Sequence, residues 1–390
     1  MITRKKLILL IFSAFIFLNY ELIAENEIAE NSKPIENECE KAKELVRKGL
    51  NLSDASKNEE NFYSEAVKKC PKLFEANYNL ALIKYNNKNY KEAKSAIDEA
   101  IKIRNSDLSA KLLQANIAYE NKDFEQARAS FSEILEINAD NIGALQGLAL
   151  VLAETNEVAR AQSLLEQALA KEPNNSAILR NLAIVEMNNS KDELALEHFS
   201  KLTDLLPSNF EGWYYKGVLL QKKGQLAQAL QSLEKAQTLN SNSIEISQMI
   251  GYIQQQLGDR DRAEVAYRKV LEINPNDTVS LVNLGLILIQ QKQPALSVEF
   301  LERALNQDEN DLSALLALSK AYLELAEFDK SKASLNKALQ KSPKNIEIMT
   351  DLANIHLLQG DKSSAKKLAE EMLEIETESE DAKKILAATK

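Results

Sequence analysis

Apolar and small residues recur along this chain at spacings of three and four, in pairs of short runs. The clearest pair lies between Phe210 and Ser243. Trp213, Gly217 and Leu220 share one helix face, while Ala229, Leu233, Ala236 and Leu239 share another, so the spacing predicts two helices. Gly224 between them frees the backbone to turn. Small residues at Gly217 and Ala229 would let two antiparallel helices close to contact. Stepping this pair along the chain 34 residues at a time tests whether it repeats. The small residue opening the second helix returns at Ala93, Ala127, Ala161, Ala195, Ala229, Ala263, Ser297, Ser331 and Ala365. Its first-helix counterpart returns at Ala81, Ala115, Ala149, Ala183, Gly217, Gly251, Gly285, Ser319 and Ala353. No insertion or deletion breaks the register, Pro173, Pro207, Pro275 and Pro343 mark repeat ends, and nine repeats span 74–379. The expected fold is all-α, a solenoid of antiparallel helix pairs.

The flanks read differently. Residues 1–24 carry Arg4, Lys5 and Lys6, then an apolar run from Leu7 to Leu18, then Ala24: the form of a secretory signal peptide, or of an N-terminal anchor if it is not cleaved. Residues 25–37 are polar, acidic and interrupted by Pro34, and are expected to form a disordered leader. Residues 38–73 hold a degenerate helical pair, with Ala42, Leu45, Val46, Gly49 and Leu52 on one face and Tyr63, Ala66 and Pro71 resuming the register. Residues 380–390 are expected to form a capping helix, with Ala382, Leu386 and Ala387 on its apolar side.

Composition changes the picture little. Ten Gly and seven Pro in 390 residues leave too few turn formers for sheets, and the net charge of −10 with no basic stripe argues against nucleic acid. The two cysteines, Cys39 and Cys70, sit where the ends of the N-terminal helices would meet. They are either a disulfide or a pair of buried thiols, and two Cys without a nearby His do not suggest a metal site.

The repeat resembles a known family, the tetratricopeptide repeats, whose pattern W-x2-L-G-x2-Y, A-x3-F and P recurs at the same period. Trp213, Gly217 and Leu220 carry it in one repeat, and Leu318, Ser319 and Tyr322 in another. Ala127 with Phe131, Ala195 with Phe199 and Ala263 with Tyr267 supply the second motif. The resemblance implies a right-handed superhelix whose first helices form the inner wall. In that geometry the fifth, ninth and twelfth positions of a repeat face a groove. Early repeats give Tyr78, Leu82, Tyr85, Leu112, Tyr119, Leu150, Ile184 and Met187. Later ones give Tyr214, Val218, Tyr252, Val282, Leu286, Ile289, Leu316 and Leu323. Asn116, Arg180, Lys320 and Asn354 are the candidate polar fixing points. The first helix at Leu281–Gln291 is apolar nearly all round and must be covered by something.

No catalytic constellation accompanies this groove. The chain has two histidines, His198 and His356, far apart in repeat number and best read as structural; no phosphate-binding Gly loop or nucleophile elbow is present. No cofactor and no metal is expected. The function expected is a non-catalytic scaffold that binds extended or helical segments of other proteins, exported to a bacterial periplasm. The alternatives are a component of a secretion, pilus or polysaccharide-export machine, tethered to the inner membrane by residues 7–24, and a substrate-gripping subunit for a separate envelope enzyme.

Overall fold

A computed structural model describes residues 33–52 and 56–390, and the side chains from Asn37 onward. The signal or anchor segment and residues 25–32 of the leader lie outside the described residues. Among those described, every regular element is a helix. The helices fall into two compact units, one ending at Leu206 and one covering Pro207–Lys390.

The first unit holds α1 (Lys33–Leu52), α2 (Lys57–Lys69), α3 (Phe74–Asn86), α4 (Tyr90–Ile103), α5 (Leu108–Glu120), α6 (Phe124–Ile137), α7 (Ile142–Glu154), α8 (Val158–Lys171), α9 (Ser176–Asn188) and α10 (Asp192–Leu205). The second holds α11 (Phe210–Lys222), α12 (Leu226–Leu239), α13 (Ile244–Gln256), α14 (Arg260–Ile273), α15 (Thr278–Gln290), α16 (Pro294–Gln307), α17 (Leu312–Glu324), α18 (Phe328–Lys341), α19 (Ile346–Leu358), α20 (Lys362–Ile375) and α21 (Glu380–Thr389). From α3 to α20, first helices of 13 residues alternate with second helices of 14, each starting 34 residues after its counterpart. Within each unit consecutive helices pack on one another as hairpins, and some successive first helices also touch, as α5 with α7 and α15 with α17 do.

The small positions do what their spacing requires. Every residue from Ala93 to Ala365 in the second-helix series is fully buried. Beside them a large side chain four residues on fills the hairpin: Ile97, Phe131, Leu165, Phe199, Leu233, Tyr267, Leu301 and Leu335 are all buried to 1% exposure or less. A Cβ added to Gly217 would lie 2.6 Å from Leu233 Cγ, and one on Gly251 2.9 Å from the Tyr267 ring, so glycine there is space for the neighbour. Where serine replaces alanine its hydroxyl is bonded: Ser297 Oγ donates to the Gly285 carbonyl at 2.8 Å, and Ser331 Oγ to that of Ser319 at 2.9 Å.

The turn inside each hairpin is set by backbone geometry more than by glycine. The second of its three residues has positive φ in all nine repeats, at Lys88, Lys122, Asn156, Ser190, Gly224, Gly258, Lys292, Ala326 and Gly360. The next N–H returns to a carbonyl five residues back, as Asn89 to Lys84 at 2.8 Å and Gln225 to Leu220 at 2.9 Å. This double-bonded C-terminal motif closes the first helix with either residue type. A second period-34 signal, unread in the sequence, caps the first helices from α5 onward and α21: Asp107, Asn141, Asn175, Asn209, Ser243, Asp277, Asp311, Asn345 and Ser379 each accept a backbone N–H of the first turn, whereas Leu73 before α3 cannot. Asp123, Asp259 and Asp361 cap second helices likewise, whereas Asn89 makes no side-chain cap bond.

Both ends differ from expectation in detail. Helix α1 starts at Lys33, inside the stretch read as leader, because a proline in the first helical turn, Pro34, interrupts no intrahelical bond. Cys39 and Cys70 are joined, with sulfurs 2.11 Å and Cα atoms 4.9 Å apart, and Tyr63 packs over Gly49 inside the same hairpin. In α21 it is Ala382 and Ile385 that are buried, with Leu386 partly covered and Ala387 exposed, since the helix lies on α20 and α19 with a face rotated from the expected one.

Candidate interaction surface

The twenty groove candidates divide by burial. Tyr252, Lys320, Leu323 and Asn354 are exposed, and Tyr78, Leu112, Asn116, Ile184, Met187, Val218, Leu286, Ile289 and Leu316 are partly exposed. Leu82, Tyr85, Tyr119, Leu150, Arg180, Tyr214 and Val282 are buried, which corrects their reading as groove lining. The reason is visible at the twelfth position. Tyr85 turns back over its own hairpin onto Tyr90, centroids 5.8 Å apart, and Tyr119 onto Phe124 at 5.9 Å. Tyr214 packs edge-to-face on Tyr215 at 5.1 Å. Burial pushes the Tyr214 hydroxyl up to about 12, with Glu245 adding to the effect. Tyr214 is therefore a core residue, unsuited to a variant meant to spare the fold.

In the second unit the open or half-open apolar candidates lie on α11, α13, α15 and α17. Helix α15 is covered as its composition demands: Leu281, Val282, Leu284, Gly285, Ile287 and Leu288 are buried, leaving Leu286 and Ile289 half open. Val279 and Leu358, 57% and 64% exposed, stand on first helices at positions outside the fifth–ninth–twelfth rule. Only their apolar character could have flagged them.

Of the polar candidates, Lys320 and Asn354 are free to meet a partner, and Asn116 is half-buried with an Oδ1 that meets no donor among the described residues. Arg180 is enclosed at 7% exposure. Near Lys320, burial pushes the Asp351 carboxyl up against the pull of that ammonium.

Both histidines are tied to carboxylates. His356 Nδ1 lies 3.0 Å from Asp361 Oδ2 at a hairpin turn. His198 Nδ1 lies 2.7 Å from Oε2 of Glu186, whose side chain is 1% exposed. The hydrogen bond to Glu186 raises the His198 pKa against desolvation, with Glu197 reinforcing and Lys201 opposing. A raised folded-state pKa gives stability that is complete below the unfolded value of about 6.5 and is lost as pH rises through the folded value. Unfolding midpoints should therefore fall from pH 6 to pH 9, and His198→Gln should flatten that slope. An unflattened profile would show that the pair is not the titrating element.

Tetratricopeptide repeat models match residues 63–142, then 118–183 and 328–389, and then 210–243, 244–277 and 279–311. The chain belongs to the tetratricopeptide repeat family. These repeats serve as protein-interaction scaffolds and are generally non-catalytic. Among similar proteins is Photosystem I assembly protein Ycf3 of Synechococcus sp. (strain CC9605), 34% identical over 112 residues, 26% of this chain and 65% of that protein. Another is BBSome complex member BBS4 of Xenopus tropicalis, 28% identical over 137 residues, 35% of this chain and 26% of the relative. The chain spans less than two thirds of the length of either. A solved structure of YrrB, described as a TPR protein with an unusual peptide-binding site, is 23% identical with a TM-score of 0.44, over 47% of this chain and 95% of that one. In this tetratricopeptide repeat protein no group of three His, Cys, Asp or Glu suited to a metal occurs among the described residues, and none of their helices is long and apolar enough to cross a membrane.

Proposed function

We propose that this tetratricopeptide repeat chain is an exported scaffold that holds an apolar segment of another protein against the first helices of residues 207–390. One observation carries the reading: Tyr252, Leu286, Ile289, Leu316 and Leu323 remain open or half open on α13, α15 and α17 while most other apolar side chains of those helices are buried. Apolar side chains left on successive helices of one face favour a covering partner. Export is supported by the apolar run behind Arg4, Lys5 and Lys6, and by the Cys39–Cys70 disulfide, a bond that persists in oxidising compartments. The same basic-apolar start favours a second reading, tethering at the inner membrane as part of an envelope assembly; the mass of the mature N-terminus separates the two.

A photo-crosslinking amino acid at Leu316 should capture a partner that one at Val265, 68% exposed on the second helix α14, does not. With that partner purified, Tyr252→Ala combined with Leu323→Ser should weaken binding at least about tenfold, roughly 1.4 kcal/mol, with unchanged circular dichroism. Equal capture at the two positions, or unaltered affinity in the double variant, would remove the inner face from the function.

A further inference from the structure

Three tyrosines and a glutamate converge at the turn edge of the first regular repeats, within the first unit. Tyr85 lies in the last turn of α3, Tyr90 opens α4, and Tyr119 and Glu120 end α5. Tyr90 Oη donates to Glu120 Oε2 at 3.3 Å. The rings of Tyr85 and Tyr119 are buried, yet neither hydroxyl bonds to another described residue, and neither oxygen is sealed from solvent. Glu120 itself is half-buried and meets no Lys or Arg at ion-pair distance among the described residues, with Lys88 acting on it only from farther off. Its neighbours along the fold are treated differently: Glu157 holds both Arg128 and Arg160, and Glu75 holds Arg104.

The electrostatics agree with the geometry. Burial holds the Glu120 carboxyl above the usual carboxylate range, only partly offset by Tyr90 and Lys88. Burial, then the charge of Glu120, pushes the Tyr85 hydroxyl up; Tyr119 is pushed up by burial and then by Glu154 and Glu120. The result is an edge rich in acceptor lone pairs and short of positive charge. An anion would be repelled. A metal would find one carboxylate and phenols that resist ionisation, which is a poor ligand set.

We propose that the edge formed by Tyr85, Tyr90, Tyr119 and Glu120 binds a cationic side chain of a partner segment, best an arginine. A guanidinium is planar, offers five N–H donors in a fixed fork, and is weakly hydrated, so it meets a carboxylate and adjacent phenol oxygens together at a lower desolvation cost than an ammonium. This inference rests on the scaffold reading and adds to it a chemical class: the partner carries a basic residue toward the first repeats.

The test uses the full chain with carbon-13 in the tyrosine rings and two probes, N-acetyl-arginine amide and its neutral isostere N-acetyl-citrulline amide. Arginine amide should shift the ring resonances of Tyr90 and Tyr119, and citrulline amide should not. Glu120→Gln should weaken the arginine response at least about tenfold, as loss of a charge-assisted bond does. In the unmutated chain the response should fade on acidification as Glu120 gains its proton, which provides a readout independent of how the variant folds. An equal response to citrulline, an unweakened Glu120→Gln, or arginine binding that persists at pH 4 would each overturn the proposal. Neither probe requires Tyr252 or Leu323, so failure here is distinct from failure of the apolar face.

Discussion

Gly147→Ala is expected to destabilise the first unit by about 3 kcal/mol, the upper end of ordinary overpacking costs. The added Cβ would lie 2.2 Å from Phe131 Cζ and 2.3 Å from its Cε1. That ring is fully buried in the cluster that includes Ala115, Ala127, Leu145 and Ala161, so it has no free volume to move into. The informative control is Gly224→Ala. There the new Cβ meets nothing, but φ is +76°, and the cost should be about 1 kcal/mol from the left-handed backbone alone. Urea midpoints of the two variants should differ accordingly. Phe131→Leu, itself costly, should make Gly147→Ala nearly harmless when the two are combined, because the shorter side chain vacates the space. Equal costs for the two glycines, or no rescue by Phe131→Leu, would mean that Gly147 is not a packing glycine.

Reducing the Cys39–Cys70 bond is expected to release α1 and α2 without unfolding the rest of the array. The cysteines are 31 residues apart. Closing a loop of that length restricts the unfolded chain by about 3 to 4 kcal/mol in the chain-entropy picture. Among the described residues the pair α1–α2 packs on the array from one side only, resting on α3 through a small core of Ala42, Val46, Tyr63, Ala66 and Ala76. Surface ion pairs such as Lys69 with Glu38 add little to that. Amide exchange in α1 and α2 should accelerate by about two orders of magnitude or more on adding reductant, or in a Cys39→Ser, Cys70→Ser chain, while α5–α8 keep their protection. Unchanged exchange in α1 would show that the core alone holds the hairpin. Uniform loss across α5–α8 would show that the end hairpin nucleates its neighbours.

The sequence carried the exposure of the candidate surface only in part. Position within the repeat named Tyr252, Leu286, Ile289, Leu316 and Leu323, and these are open or half open. The same rule also named Tyr85, Tyr119 and Tyr214, which are buried. A long side chain leaves its Cα in one direction and ends wherever its rotamer and neighbours allow, so the aromatics at the turn edge folded onto residues five ahead in the chain. Glu120, Val279 and Leu358 were missed for the complementary reason. Their exposure or isolation depends on what the adjacent hairpin fails to supply, and no spacing along one helix encodes that.

Periodicity by itself determined the helices, their pairing and their number, because a repeat of 34 residues with fixed small positions leaves one way for consecutive helices to close. That information is local: each repeat's contacts lie within the repeat and with its neighbours. Tertiary structure alone decided that α1 begins at Lys33, which face of α21 is buried, and that Cys39 and Cys70 meet as a disulfide. It also decided which of the candidate groove side chains stay exposed. Those outcomes turn on distances of a few ångströms between side chains from different helices, and such distances are set only when the hairpins are stacked.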